Sequence, residues 1–251
     1  MTQPTPTQNA ALITMARWVS TIADNIRNPI SGISAALSIL ETQLQTAQSH
    51  AARNQPLVDD ALIRIRGRLT SLSAYVSELI DFAKPAVIDL QPTDLLAVLS
   101  AAMRDMTAGL PGIETHTVAP ANAVLLEVDH ERLRIVLAGI LRNAAEAAMG
   151  NPGADHPRVK VAIHRTPQKV TIEVSDNGPG FTELAMKHAC EPFFSTKEAG
   201  TGLGLALAAK VARAHGGQIT IERSALGGAK VSMHLPDTKH DSSDLMPSTE
   251  S

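Results

Sequence analysis

The apolar residues of the first third of the chain fall into two long seams. From Ile26 the first runs through Ile30, Ile33, Leu37, Leu40, Leu44 and Ala47, and the second through Val58, Leu62, Ile65, Leu69, Leu72, Val76, Leu79 and Ala83, in alternating steps of four and three. A period of 3.5 held over several heptads commits a segment to long helices that each bury one stripe. A breaker stretch around Asn54 and Pro56 separates the seams, so the helices are expected to fold back as an antiparallel hairpin. Two wide stripes in one hairpin are best buried against a second copy, which predicts a dimeric four-helix bundle; a single hairpin packed on the rest of the chain is the alternative.

Within the first seam, residues 22–33 read IADNIRNPISGI. Pro29 removes the backbone bond to the Asn25 carbonyl and should kink the helix. Asp24 precedes the seam residue Ile26 by two positions, about 200° round the helix, so it is expected to face outward. Asn28, four residues after Asp24, shares that face. A kink beside an outward polar pair suits a site, and it also suits a solvated helix face with a tolerated proline.

The periodicity changes after Lys84 and Pro85. QPTD at 91–94 predicts a turn and a helix N-cap, which puts a domain boundary near residue 88. RVKVAIHR (158–165), KVTIEVSD (169–176), QITIER (218–223) and AKVSMHL (229–235) alternate as half-buried antiparallel strands do. Helices are expected over 131–149 and over 203–215, the second closed by Gly216 and Gly217. The fold class is therefore α+β: the helical hairpin over 9–87, then over 88–237 an α/β sandwich with a mixed sheet and helices on one face. Residues 1–8 and 238–251 lack periodicity and are expected to be disordered.

Three segments of the second domain bear on chemistry. DNGPGF (176–181) directly follows a strand; its glycines permit close approach to a flat ligand, and the Asp176 carboxylate can accept from an amino group such as that of adenine. Alone, the segment fits a hairpin turn equally well. EAGTGLGLALAAK (198–210) puts a glycine-rich turn at a helix N-terminus, where free N–H groups suit phosphate. LRNAAEA (141–147) places Asn143 mid-helix, where its amide oxygen can ligate a hard cation such as Mg²⁺ or be surface filler.

Other classes are disfavoured. With 22 basic and 25 acidic residues the net charge is −3, and aromatics are 2%, so there is neither a basic footprint nor a stacking platform for nucleic acid. Cys190 is the only cysteine, which excludes an internal disulfide. No apolar run approaches the roughly 20 residues of a membrane span, and MTQPTPTQNA at the start lacks the basic and apolar regions of a signal peptide. A soluble cytoplasmic protein is expected.

Taken in this order, with EPFFSTK (191–197) among them, the segments resemble the catalytic ATP-binding domain of sensor histidine kinases, within the gyrase, Hsp90, histidine kinase and MutL superfamily. The hairpin resembles that family's dimerisation and phosphotransfer domain. The resemblance implies ATP and Mg²⁺ as cofactors. Asp176 would bind the adenine amino group, Gly178 and Gly180 would shape the base pocket, and Asn143 would hold Mg²⁺ on the phosphates. Gly200, Thr201, Gly202, Leu203 and Gly204 would form the phosphate end of the lid, with Lys197 near the phosphates. It also implies a homodimer that docks a response regulator receiver domain or another histidine kinase.

The chain departs from the family pattern where the phosphoacceptor belongs. IRNP is intact at 26–29, but Asp24 stands at the histidine position and Asn25 at that of the following acid. The expectation is a two-component signalling protein that binds ATP and is defective in autophosphorylation. An amide cannot serve as the proton acceptor that an attacking imidazole needs. Asn28 survives, and its family counterpart orients the water that removes a receiver's phosphate, which opens a phosphatase reading. An active kinase that phosphorylates a heterodimer partner is a further alternative. Gly139, one turn before Asn143, replaces a residue that is usually polar in the family.

Overall fold

The computed structural model describes residues 6–46, 55–85, 87–110, 112–197 and 200–237. It separates into two compact units, 1–83 and 84–251. Residues 47–54, with Asn54 of the expected hairpin turn, and the tail 238–251 lie outside the described residues, while Pro56 falls in the first turn of the second helix.

The first unit is a pair of packed helices, α1 (Pro6–Thr46) and α2 (Gln55–Ala83). Helix α1 runs unbroken through Pro29. The seams divide their labour differently from a simple hairpin. Among the described residues of this unit Ala36, Ala61 and Tyr75 are the buried ones, while Ile30, Leu37, Leu62, Leu69 and Val76 of the two seams are exposed. Two of these three are alanines, and five large seam residues stay exposed. Ser31, Ser34 and Ser38 donate their hydroxyls back to carbonyls four residues earlier, satisfying themselves on their own helix.

The second unit opens with a strand where a turn is expected: β1 (Gln91–Asp94) pairs antiparallel with β3 (Leu125–Val128). Pro92 is tolerated because this is a two-stranded edge pairing. The N-cap expectation holds, since Asp94 accepts from Leu96 N at 3.1 Å and starts α3 (Leu95–Gly109). The main sheet has the order β2-β4-β5-β7-β6. Its strands are β2 (Glu114–Val118), β4 (Arg158–Arg165), β5 (Lys169–Asp176), β6 (Gln218–Arg223) and β7 (Ala229–Pro236). Only the β2–β4 pair is parallel, so the sheet is mixed.

Helices α4 (His130–Met149) and α6 (Gly204–Ala214) contact this sheet, α3 packs on α4, and a short α5 (Glu183–His188) lies between α4 and α6 in the chain. Leu133, Leu137, Leu141, Ile172, Leu203 and Met233 are almost wholly buried between the layers. The ends of these helices are pinned by local chemistry. Asp129 caps α4 by accepting from Arg132 N at 3.0 Å, and α6 ends in a Schellman closure, with Gly217 N on Ala212 O and Gly216 N on Arg213 O. Gly216 has φ +74°, the left-handed conformation that such a closure needs.

Candidate functional site: a glycine-lined nucleotide pocket

Strand β5 ends at Asp176, whose side chain is 4% exposed. Its Oδ1 accepts from Gly178 N at 2.8 Å and from Ala229 N at 3.1 Å, so the carboxylate is fixed by the turn after its own strand and by the start of β7. Burial pushes this carboxyl above its ordinary value, while the two N–H donors and the Lys197 charge pull it back. The neighbouring Asn177 is structural: it accepts from Arg158 N at 2.8 Å and donates to His156 O at 2.7 Å, bracing the mouth of β4 against the end of β5.

The glycines around Asp176 are places where no side chain fits. A Cβ on Gly228 would sit 2.0 Å from Asp176 Oδ1, and one on Gly178 would sit 2.8 Å from backbone atoms of Ala147 on α4. Gly180 has φ +71° and lies against Gly228. Gly228, from the doublet at 227–228, is therefore part of the candidate site. Sequence reasoning missed it because a glycine pair between two strands reads as an ordinary turn.

A second group lies at the start of α6. A Cβ on Gly204 would approach Asn143 Nδ2 to 3.3 Å, so the mid-helix asparagine of α4 faces the N-terminus of α6. Leu203 is fully buried, and its N–H donates to Thr201 Oγ1 at 3.3 Å. Gly202, at φ +67°, would place a Cβ 2.4 Å from the carbonyl carbon of Phe193. Phe193 itself has φ 65°, a conformation that a bulky aromatic adopts only under constraint, and its N–H is held by Gly202 O at 2.9 Å. Gly200 is equally tight: a Cβ there would meet Ser195 Oγ at 2.1 Å. The EPFFSTK segment and the glycine string are thus interlocked. Lys197 is already engaged, with its Nζ 2.6 Å from Glu146 Oε2.

The residues expected at a nucleotide site therefore come together: Asp176, Gly178 and Gly180 at one end, and Asn143, Gly200, Gly202 and Gly204 at the other, with Ala147 and Glu146 of α4 between. Gly139 stands on α4 with open space where a side chain would begin. Asp24 and Asn28 belong to α1 in the other unit, and both are exposed. Asp24 Oδ1 pairs with Arg27 Nη1 at 3.0 Å, with the Asp24 side chain 58% exposed. Asn25 points differently. Its Nδ2 is buried without a hydrogen-bond partner, as is the Tyr75 hydroxyl of α2; burial pushes that hydroxyl above its ordinary value, and Asn25 pulls it back.

Residues 128–239 match the family described as histidine kinase-, DNA gyrase B- and HSP90-like ATPase. Beyond the domain, the similarity runs along nearly the whole chain. The sensor histidine kinase ZraS of Klebsiella oxytoca is 30% identical over 90% of this chain and 46% of its own length. Sporulation kinase C of Bacillus subtilis is 30% identical over 86% and 47%, and the histidine-protein kinase AfsQ2 of Streptomyces coelicolor is 28% identical over 88% and 41%. The chain thus spans less than half the length of these curated relatives. Among solved structures, histidine kinase ThkA in complex with response regulator protein TrrA shares the fold at TM-score 0.70 and 22% identity, over 93% of this chain and 65% of that one. These matches support the sensor histidine kinase family for this chain, and the domain match supports ATP binding. Among the described residues no helix is long and apolar enough to cross a membrane.

Proposed function

We propose that this protein is a two-component signalling module that binds ATP with Mg²⁺ and docks a response regulator or a partner kinase, and that it does not phosphorylate its own first helix. The observation that carries this reading is the contrast between a nucleotide pocket assembled from fitted parts and an acceptor position occupied by Asp24. Both bonds to Asp176 use Oδ1, which leaves Oδ2 as the oxygen that an adenine amino group can reach. Gly178 and Gly228 let the backbone close tightly on Ala147 and on Asp176, where any Cβ would collide, and so hold the Asp176 carboxylate in place. Asn143 offers one amide oxygen at the phosphate end, which suits a cation held mainly by phosphates and water.

A homodimer is part of the proposal. The exposed Ile30, Leu37, Leu62, Leu69 and Val76 form the stripe that a second hairpin would cover. Response-regulator docking is supported by the fold shared with ThkA, which was solved with its regulator. A cytoplasmic location fits such a partner.

The reading is tested with labelled ATP. Nucleotide should bind while the chain stays unlabelled; an acid-labile label on the chain would overturn the acceptor-deficient assignment. A second reading is favoured by one observation, the exposure of Asn28 on the face it shares with Asp24. An amide both donates to and accepts from water without titrating, so it can orient a water toward a receiver's acyl phosphate. Phosphorylated receiver should then lose phosphate faster in the presence of the protein, and Asn28→Ala should remove the gain. Equal rates with both proteins would exclude that role.

A further inference from the structure

The lysine that should serve the phosphates is held by an acid of the same site. Lys197 Nζ lies 2.6 Å from Glu146 Oε2, and Glu146 is one helical turn beyond Asn143 on α4. The other Glu146 oxygen lies 4.0 Å from Arg142 Nε, so the carboxylate has a cation on each side. The Lys197 charge is also felt by the Asp176 carboxylate. A phosphate chain near Asn143 and Gly204 would have to draw Lys197 off Glu146, and it would bring its own negative charge close to the acid left behind. Both effects act on the phosphates and neither acts on the base or the sugar.

We propose that Glu146 is an affinity-setting residue of the nucleotide site, an internal counter-ion that Lys197 exchanges for the phosphate chain. The inference rests on the ATP-binding reading of the pocket. The pair is about half-buried, with side chains 44% and 42% exposed, so the competition is moderate. Pairs of this kind tune affinity by about two- to fivefold.

Calorimetry with ATP and with adenosine, each with and without Mg²⁺, tests the exchange on the wild-type chain, Glu146→Gln, Lys197→Met and the double variant. Glu146→Gln should tighten ATP about two- to fivefold and leave adenosine unchanged. Lys197→Met should weaken ATP alone, and in that background Glu146→Gln should lose most of its gain. An equal gain with and without Lys197 would contradict exchange, as would a shift in adenosine affinity. Weaker ATP binding by Glu146→Gln only with Mg²⁺ would make Glu146 a cation ligand and overturn the proposal. If the wild-type chain binds both ligands but the variants do not differ, only this inference fails. If it binds neither, the ATP reading fails first.

Discussion

The two units differ in how completely they satisfy themselves. In the nucleotide unit the polar groups of the site are braced by neighbours: Asp176 by two N–H donors, Asn177 by the mouth of β4, and Phe193 by Gly202 O. In the hairpin, large seam residues stand in solvent, and the two buried polar atoms without a partner among the described residues, Asn25 Nδ2 and Tyr75 Oη, both lie there. The exposed apolar residues of the hairpin are the surface that the proposed second copy would cover, and Asp24, at the proposed acceptor position, lies on that unit, while the proposed nucleotide site lies in the braced one.

The comparison breaks most directly at Asp176. Asp176→Ala removes the proposed acceptor for adenine and leaves Gly178 and Ala229 with buried, unpaired N–H groups, so adenine nucleotide binding should weaken about 100-fold by calorimetry. Unchanged affinity would show that the pocket is not the nucleotide site. The same residue sets a pH dependence. Because burial raises the folded pKa, the native carboxyl takes up its proton before the unfolded one does as pH falls. Its ionised form is thus a cost to stability above that pH, relieved as pH drops through the folded value. Adenosine affinity should be lost over the same window, earlier on acidification than an ordinary aspartate would dictate, and the profile should be altered in Asp176→Asn.

The next largest effect is expected at Gly202. A methyl there meets Phe193 at a backbone already at φ +67°, so Gly202→Ala should destabilise the unit by about 1–3 kcal/mol and lower its melting temperature. A melting temperature equal to wild type would mean that the interlock with Phe193 is loose. Gly139→Ala goes the other way. It adds a methyl in open space within a helix and should stabilise by about 0.5–1 kcal/mol; destabilisation would mean that α4 needs a glycine there for a structural reason.

The smallest effect sharpens the hairpin side. Tyr75→Phe deletes a buried hydroxyl that has no partner, so it should change stability by well under about 1 kcal/mol. A larger loss would reveal a bond to Asn25 or to a second copy.

Much of the fold is legible in the sequence because its periods are clean. The heptad seams give α1 and α2, and the alternating stretches give β4 to β7. The rest fails for identifiable reasons. β2 (ETHTV) is an edge strand exposed at every position, so no apolar alternation marks it. QPTD reads as a turn because of Pro92, and only its pairing with β3 makes it a strand. The seams specify helices but not which of their residues are buried within the hairpin, which are Ala36, Ala61 and Tyr75 among those described. At the site, Asp176 and the DNGPGF and GTGLG glycines are legible from local motifs. The Glu146–Lys197 pair spans 51 positions, and the Gly228 contact with Asp176 also depends on tertiary packing, so neither has a local signal.

The most direct measurement is transfer of label from ATP to the chain when the acceptor is restored. Wild-type protein should take up none, and Asp24→His, alone or with Asn25→Glu, should acquire an acid-labile label, because the nucleotide unit is intact. Label on the wild-type chain, or none on the restored variants despite measured ATP binding, would contradict the contrast between the two units.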